Sequence, residues 1–190
     1  MIKMDALRAM YAGLGFENIQ TYIQSGNVVF GCHSNQLSAV SNQPHATPFL
    51  LADAELRGAD TEAIMGKLIS QKILEVFGFE VPVMVMGVEE LVDVIRNNPF
   101  VGDRNEDVSK LHVTFLSSVP DLSLVEKISG GMYGGDEFIV VGRVVYLLCP
   151  NGYGNTKLNN AFFESKLKVV ATTRNWKTIN ELVRIGGLIN

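Results

Sequence analysis

The chain has 190 residues, of which 47% are hydrophobic, and its formal net charge is −4. This size allows one domain or two small subdomains with a real core. No apolar run approaches the ~20 residues that a membrane-spanning helix needs, and a periodic helix follows the first residues directly, which argues against a signal peptide. We therefore expect a cytoplasmic protein without a membrane partner, and the acidic balance argues against general binding of nucleic acid.

The two cysteines, Cys32 and Cys149, lie far apart in the sequence and show no CxxC or Cys/His spacing. They are expected to be ordinary thiols, because this spacing is typical of neither a disulfide framework nor a metal site. No motif indicates a cofactor.

Charge is distributed unevenly along the chain. Residues 151–190 carry six basic and two acidic side chains, whereas residues 1–150 carry ten basic and eighteen acidic ones. An acidic body with a basic end predicts a localised anion site. The alternative is that two solvated faces of opposite sign attract one another.

The first half has the pattern of a helix, a hairpin, a second helix and a further strand. Apolar residues at helical spacing define the first helix, and a Ser-Gly-Asn turn at 25–27 joins the strands of the hairpin. Residues 31–58 form an insert rich in Ser, Asn and Pro, which we expect to be a disordered loop. The predicted elements are helix 4–14, strands 18–23 and 28–30, a helix from residue 60 or 61 to 77, strand 81–86 and a short helix over 88–95.

The second half begins with a strand and ends with two helices. Asp121 is the predicted cap of a short helix that ends at Gly130. The predicted elements are strand 110–116, this short helix, strands 137–141 and 144–148 joined by a tight turn, and helices over 155–167 and about 173–185.

The order of helices and strands in the two halves predicts an α+β fold of two ferredoxin-like subdomains, with antiparallel sheets and helices on one face. The subdomains are residues 1–96 and residues 97–190. Each half matches a β-α-β-β-α-β unit that lacks one terminal strand. The first half lacks the opening strand, and the second half lacks the closing strand.

The segment 149–158 carries the strongest functional signal. It follows the predicted strand 144–148, contains two glycines, and leads into a predicted helix that Asn155 caps, with Lys157 in its first turn. Such a helix start presents N–H groups and a positive dipole end to an anion, and the lysine adds a full charge. The spacing is not that of a P-loop. The alternative is an ordinary strand-to-helix turn, in which Asn and Gly serve capping and positive φ.

Two basic residues further on are assigned to the same site. If the last helix begins at Thr173 or Asn175, then Arg174 and Lys177 lie in its first turn, where they oppose the helix dipole unless an anion compensates. The alternative is that both are solvated side chains. The candidate ligand-binding residues are Asn151, Gly152, Tyr153, Gly154, Asn155, Lys157, Arg174, Asn175 and Lys177.

Other chemically notable residues have simpler explanations. Trp176 is expected to pack in the core, and His112 alternates with apolar residues and is expected to be a structural strand histidine. No Ser/His/Asp or Cys/His triad follows from the sequence, so whether the chain is an enzyme stays open.

Five segments, 22–30, 98–100, 110–116, 149–154 and 171–176, resemble those of the bacterial family catalogued as domain of unknown function 1697. The resemblance covers nearly the whole chain except the insert 31–58. It implies an α+β fold with ferredoxin-like halves and no established activity.

The chain departs from this family at its start and in its insert. Family members open with a strand, an arginine and a glycine-containing loop before the helix that begins here near Met4, and their connection at 31–58 is shorter. Either the start is misassigned, the sequence is truncated, or the protein lacks the strand. In the last case N–H and C=O groups of the neighbouring strand stay unpaired, which invites pairing with another chain. This departure predicts a homo-oligomer or an interaction partner at an exposed sheet edge.

Three functions follow, in order of preference. The first is binding of a phosphate-bearing or other anionic ligand, a nucleotide or nucleic-acid end included, at the 149–157 loop with residues 174–177. The second is a protein-interaction or homo-oligomerisation module. The third is an enzyme that acts on a small anionic substrate, for which no base or nucleophile is identified.

Overall fold

The structure is a computed structural model that describes residues 2–22, 26–32, 59–102 and 104–187. Most of the predicted insert, from residue 33 onwards, lies outside these ranges, and so does Ser25 of the predicted hairpin turn. The helices and strands are α1 (Met4–Gly13), β1 (Glu17–Tyr22), β2 (Asn27–Gly31), α2 (Ala59–Phe77), α3 (Val88–Arg96), α4 (Pro99–Gly102), β3 (Leu111–Leu116), α5 (Leu122–Ser129), β4 (Glu137–Val141), β5 (Val144–Leu148), α6 (Asn160–Leu167), β6 (Ala171–Asn175) and α7 (Trp176–Gly187), with 3-10 turns at Val108–Lys110 and Tyr153–Asn155.

The C-terminal sheet has four antiparallel strands in the order β4-β5-β3-β6. The opening strand β3 lies between the third and fourth strands of the unit, which is the strand order of a complete ferredoxin-like β-α-β-β-α-β unit. The α+β class and the antiparallel sheets are therefore confirmed. The predicted lack of a closing strand in this half is wrong, because β6 pairs with β3 along its whole length.

The sequence of β6, Ala-Thr-Thr-Arg-Asn, carries little signal for a strand. It contains Thr and Asn, which are typical of helix starts, and no long apolar side chain, so the pattern predicts a helix that begins within it. Its polar side chains are compatible with a strand because β6 is the edge of the sheet and is bonded on one side to β3.

The C-terminal core lies between the sheet and the helices α5 and α6. Phe163 is fully buried and makes edge-to-face contacts with Phe138 of β4 and with Phe162, with ring centroids 5.6 Å and 5.2 Å apart. Leu158, just before α6, is also fully buried in this cluster. The other face of β3 is buried too, and on that side Glu90 of α3 forms an ion pair with Arg143 in the β4–β5 turn.

The N-terminal half has a smaller sheet, the antiparallel hairpin of β1 and β2, which confirms the predicted hairpin. The rings of Tyr11, Phe16 and Phe30 pack on one another with centroids 4.4 to 5.8 Å apart. The buried residues of this core come from α1, the turn after it and α2, and they are Leu7, Met10, Tyr11, Phe16, Met65, Ile69 and Ile73.

The predicted strand 81–86 is wrong, because these residues belong to no helix and to no sheet formed by the described residues. Val81, Val83 and Val85 pack on the N-terminal core, as alternate residues of a strand do. In the C-terminal half the closing strand pairs with the opening strand, β3. The described residues of the N-terminal half include no opening strand, so the segment has no ladder partner there.

The chain divides into two compact units, Met1–Val88 with Leu182–Asn190, and Glu89–Glu181. The predicted division after residue 96 placed the whole of α7 in the second half, whereas its last turns pack with the first unit. Across the described ranges, no helix combines the length and the apolar character that crossing a membrane requires.

We predict that Leu167→Ala lowers the free energy of unfolding by about 2–5 kcal/mol, because the side chain is 2% exposed and its removal leaves a cavity in the C-terminal core. The measurement is urea denaturation followed by circular dichroism. Leu122→Ala is the matched control, because Leu122 is 74% exposed and the same change there should cost less than about 0.5 kcal/mol. Equal effects of the two changes would contradict the packing.

Candidate functional site

The antiparallel pairing of β3 with both neighbours places two chain segments at the same end of the C-terminal sheet. Because β5 and β6 are each antiparallel to β3, they run parallel to one another. Their C-terminal ends therefore meet at one end of the sheet, where β5 leads into the loop 149–158 and β6 leads into α7. This arrangement brings Lys157 and Lys177 to the same end of the sheet.

The loop after β5 is held by its own hydrogen bonds. The N–H of Gly152 donates to the carbonyl of Cys149 at 2.9 Å, and the N–H of Asn155 donates to the carbonyl of Gly152 at 3.1 Å. Gly152 has φ +85°, in the left-handed region that favours glycine. The amide Nδ2 of Asn155 donates to the carbonyl of Asn151 at 2.9 Å. Several predicted cradle donors are thus used inside the loop.

The predicted cap at Asn155 is wrong, because α6 begins later. Its N-cap is Asn159, whose Oδ1 accepts a hydrogen bond from the N–H of Phe162 at 3.0 Å. Lys157 consequently lies two residues before the cap and not in the first turn. Asn151, Asn155 and Asn159 all have side chains that can cap a helix. Asn159 differs from the other two because the buried Leu158 directly precedes it.

Lys157 is held at a fixed place on the surface by its two neighbours. The hydroxyl of Thr156 donates to Oδ2 of Asp136 at 2.5 Å and accepts from the N–H of Leu158 at 3.0 Å. The Leu158 side chain is fully buried. The Lys157 side chain is exposed and forms no ion pair with any residue that the structure describes.

His112 and Tyr153 form a stacked pair on the helix side of the sheet, with ring centroids 4.7 Å apart. Nδ1 of His112 lies 3.3 Å from the carbonyl oxygen of Lys110, which can only accept, so Nδ1 carries the proton and Nε2 carries the lone pair. Burial lowers the pKa of His112 against the opposing effect of this hydrogen bond, and the ring is neutral at pH 7. Burial also raises the pKa of the Tyr153 phenol, and a hydrogen bond with Thr173 opposes that shift.

A chain of polar side chains lies beside this pair. The hydroxyl of Thr173 donates to Oδ1 of Asn160 at 2.6 Å, and it lies 2.6 Å from the hydroxyl of Thr114. Because Thr173 has one proton to donate and gives it to Asn160, Thr114 is the donor to Thr173. Thr114 is fully buried, and this pairing satisfies its hydroxyl in the core.

The structure does not bring Arg174 to the loop 149–157. Thr173 faces α6, and successive side chains of a strand point to opposite faces, so Arg174 lies on the other face of the sheet. Its guanidinium donates to the hydroxyl of Thr172 at 2.7 Å and to the carbonyl of Thr173 at 2.9 Å. Burial lowers the pKa of Arg174.

The other two predicted residues of this segment lie where α7 begins. Oδ1 of Asn175 accepts from the N–H of Thr178 at 2.7 Å, so Asn175 caps the helix. Lys177 is exposed in the first turn, as predicted, and has no ion pair within the described ranges. Trp176 is buried, which confirms its predicted place in the core.

Sequence reasoning did not single out two sets of polar residues that the fold brings together. They are Asp136 with Thr156, and Thr114 and Thr173 with Asn160. The signal that could have found two of them is the alternation of the strands, because Thr114 and Thr173 occupy positions where the pattern calls for an inward-facing side chain. Asp136, Thr156 and Asn160 lie in turns or at a helix start, and no pattern in the sequence pairs them.

Nucleophilic or metal chemistry finds little support in this arrangement. Burial, assisted by the charge of Asp136, raises the pKa of Cys149 to about 11, so the thiol stays protonated at neutral pH. Within the ranges that the structure describes, no three His, Cys, Asp or Glu side chains form a group that could hold a metal ion.

The chain matches the family model described as "Protein of unknown function (DUF1697)" over residues 1–47 and 56–146. It belongs to this family. The break in the match falls within the 31–58 insert. No curated protein matches the chain.

A solved structure with a similar fold is that of the conserved bacterial protein SP0830 from Streptococcus pneumoniae. The TM-score is 0.59 and the sequence identity is 16%, over 97% of this chain and 89% of that one. At this identity the similarity supports the fold alone.

We predict that His112 makes the protein less stable as the pH falls. The folded-state pKa lies below the unfolded value of about 6.5, so the unfolded chain binds the proton more readily, and stability is lost as the pH falls through that value. In urea titrations at pH 5, 6, 7 and 8, His112→Gln should lose less stability between pH 8 and pH 5 than the wild type. Parallel curves for the two proteins would refute the buried neutral histidine.

Proposed function

We propose that the protein binds a small anionic ligand, such as a phosphate-bearing one, at the end of the C-terminal sheet between Lys157 and Lys177. The observation that carries this proposal is that two lysines without an ion pair in the described part of the chain flank the same sheet end. The strands that precede them, β5 and β6, end together on either side of β3, about 10 Å apart at the usual strand spacing. A ligand that contacts both lysines, such as a nucleotide or a sugar phosphate, would extend across this end of the sheet.

Asp136 and Glu137, which lie near this end, have partners of their own, so neither is engaged with Lys157 or Lys177. Asp136 accepts from Thr156. Glu137 binds Arg104, whose guanidinium nitrogens lie 2.6 Å and 3.0 Å from its carboxylate oxygens. Lys177 in the first turn of α7 opposes the helix dipole, and a bound anion would remove this unfavourable interaction.

His112 and Tyr153 suggest what else the ligand carries. The neutral His112 offers the Nε2 lone pair and no second proton, so it favours a ligand hydroxyl over a bare anionic oxygen. The Tyr153 hydroxyl, which also forms a hydrogen bond with Thr173, belongs to the ring that stacks on His112. A ligand with one anionic group and neighbouring hydroxyl groups matches this set better than inorganic phosphate does. This part of the proposal favours sugar phosphates and nucleotides.

We further propose a cytoplasmic location. Both cysteines are free thiols, Cys149 buried and Cys32 exposed. An exposed free thiol is more typical of a reducing compartment than of a secreted protein.

We predict that a ligand of this class raises the melting temperature of the wild type by several degrees when it is present at about 100 times its dissociation constant, where linkage gives about 2.7 kcal/mol. The measurement is a thermal shift with nucleotides, sugar phosphates, inorganic phosphate and short single strands. Lys157→Ala/Lys177→Ala should lose most of the shift, because both cations that attract the anion are removed.

The matched control is Lys127→Ala/Lys166→Ala. It removes the same charge from two exposed lysines in the last turns of α5 and α6 and should keep the full shift. Equal loss in both double variants would indicate net charge alone, and an unchanged shift in the first variant would refute the site. A steep loss of binding with added salt would identify a polymeric anion instead of a small one.

A further inference from the structure

A third lysine, Lys110, lies at the sheet end that Lys157 and Lys177 flank. It directly precedes β3, which lies between β5 and β6. The N–H of Cys149 donates to the carbonyl of Lys110 at 3.0 Å, so the pairing of β3 with β5 extends by one residue beyond the last pair of its ladder. By strand order, Lys110 is therefore the central one of the three lysines.

The same pairing determines the face of the sheet on which Lys110 lies. Cys149 is fully buried in the core cluster on the helix side of the sheet. Because residues paired across antiparallel strands lie on the same face, Lys110 lies on the helix side too. His112, two residues further along β3, stacks on Tyr153 on that side. Lys110 thus lies on the side of the sheet end that carries the loop 149–158.

The fold uses the main chain of Lys110 and leaves its ammonium group to a ligand. Its carbonyl accepts from Cys149 and from Nδ1 of His112. Its side chain is half-buried and forms no ion pair with a residue that the structure describes. The carboxylate of Asp107 accepts from the N–H of Ser109 at 2.9 Å, and these hydrogen bonds lower the pKa of Asp107 more than the charge of Lys110 does.

Three cations in this order discriminate between ligands by the spacing of their negative groups. The strands next to these lysines are about 4.8 Å apart for neighbours and about 10 Å apart for the outer two. A single phosphate concentrates its charge at one point, and a sugar with phosphates at opposite ends suits the outer lysines. Two phosphoryl groups that share an oxygen place continuous negative charge on the central lysine and on one of its neighbours.

We propose that the ligand at this end of the sheet carries a diphosphate group, and that Lys110 binds this group together with Lys157 or Lys177. This inference rests on the proposed function, and it narrows the ligand from phosphate-bearing molecules in general to those with two adjacent phosphoryl groups. A nucleoside diphosphate and a nucleotide sugar share this group. Both also carry hydroxyl groups that can donate to Nε2 of His112.

The experiment is isothermal titration calorimetry of the full chain with AMP, ADP, ADP-glucose and fructose 1,6-bisphosphate, without divalent cations. The wild type should bind ADP about tenfold more tightly than AMP, because one further hydrogen bond joins two charged groups. Lys110→Gln should abolish this preference while its affinity for AMP and for the bisphosphate stays within about threefold of the wild type. Lys110→Arg should keep the preference.

The ADP-glucose arm distinguishes the two sources of the diphosphate group. Tighter binding of ADP-glucose than of ADP identifies a nucleotide sugar, and the reverse identifies a nucleoside diphosphate. Either result supports the proposal when the preference over AMP depends on Lys110.

Lys166→Gln is the matched control, because it removes one charge from an exposed lysine in the last turn of α6 and should keep the preference for ADP. Equal affinity of the wild type for AMP and ADP would overturn this inference, as would a preference that survives in Lys110→Gln or is lost equally in Lys166→Gln. The proposed function would still stand if AMP binding depended on Lys157 and Lys177. Binding of none of the four ligands would overturn both.

Discussion

The pairing of β3 on both of its sides is the interaction on which the C-terminal half depends. Its residues Leu111, Val113, Thr114 and Leu116 have no exposed surface, so the strand is enclosed by its neighbours and by layers on both faces. Since β5 and β6 are both antiparallel to β3, they end together. That single constraint brings the loop 149–158 and the start of α7 to one end of the sheet.

The N-terminal half shows what happens to the same order of elements when no central strand is present among the described residues. Its hairpin and helices still assemble a core, in which Tyr11, Phe16 and Ile69 pack with Phe30 of the hairpin. The segment 81–86 keeps the alternation of a strand and loses the hydrogen bonds of one. Packing of side chains and pairing of the backbone are thus separable in this half.

At the end of the C-terminal sheet, recognition of the proposed ligand would rest on charge, because Lys157 and Lys177 are exposed while the carboxylates of Asp136 and Glu137 are engaged with Thr156 and Arg104. Screening by salt is therefore expected to weaken the binding of this ligand.

The sequence by itself determined the class of the fold and most of its elements. Apolar periodicity and turn residues located α1, the hairpin, α2, α3, β3, β4 and β5, because these signals are local. It also located Asn175 and Lys177 at the start of the last helix. Local signals failed where several residues have the same local chemistry, so the sequence predicts a cap at Asn155 although Asn159 is the cap.

Only the tertiary structure decided the features that depend on pairing between distant segments. β6 is a strand because β3 lies beside it, and the segment 81–86 is not one because no described strand does. Strand alternation put Arg174 on the sheet face away from the loop, and the fold gathered His112, Tyr153 and Thr173. The physical reason is that a hydrogen-bonded ladder is a property of two segments, and one segment's residues cannot specify it alone.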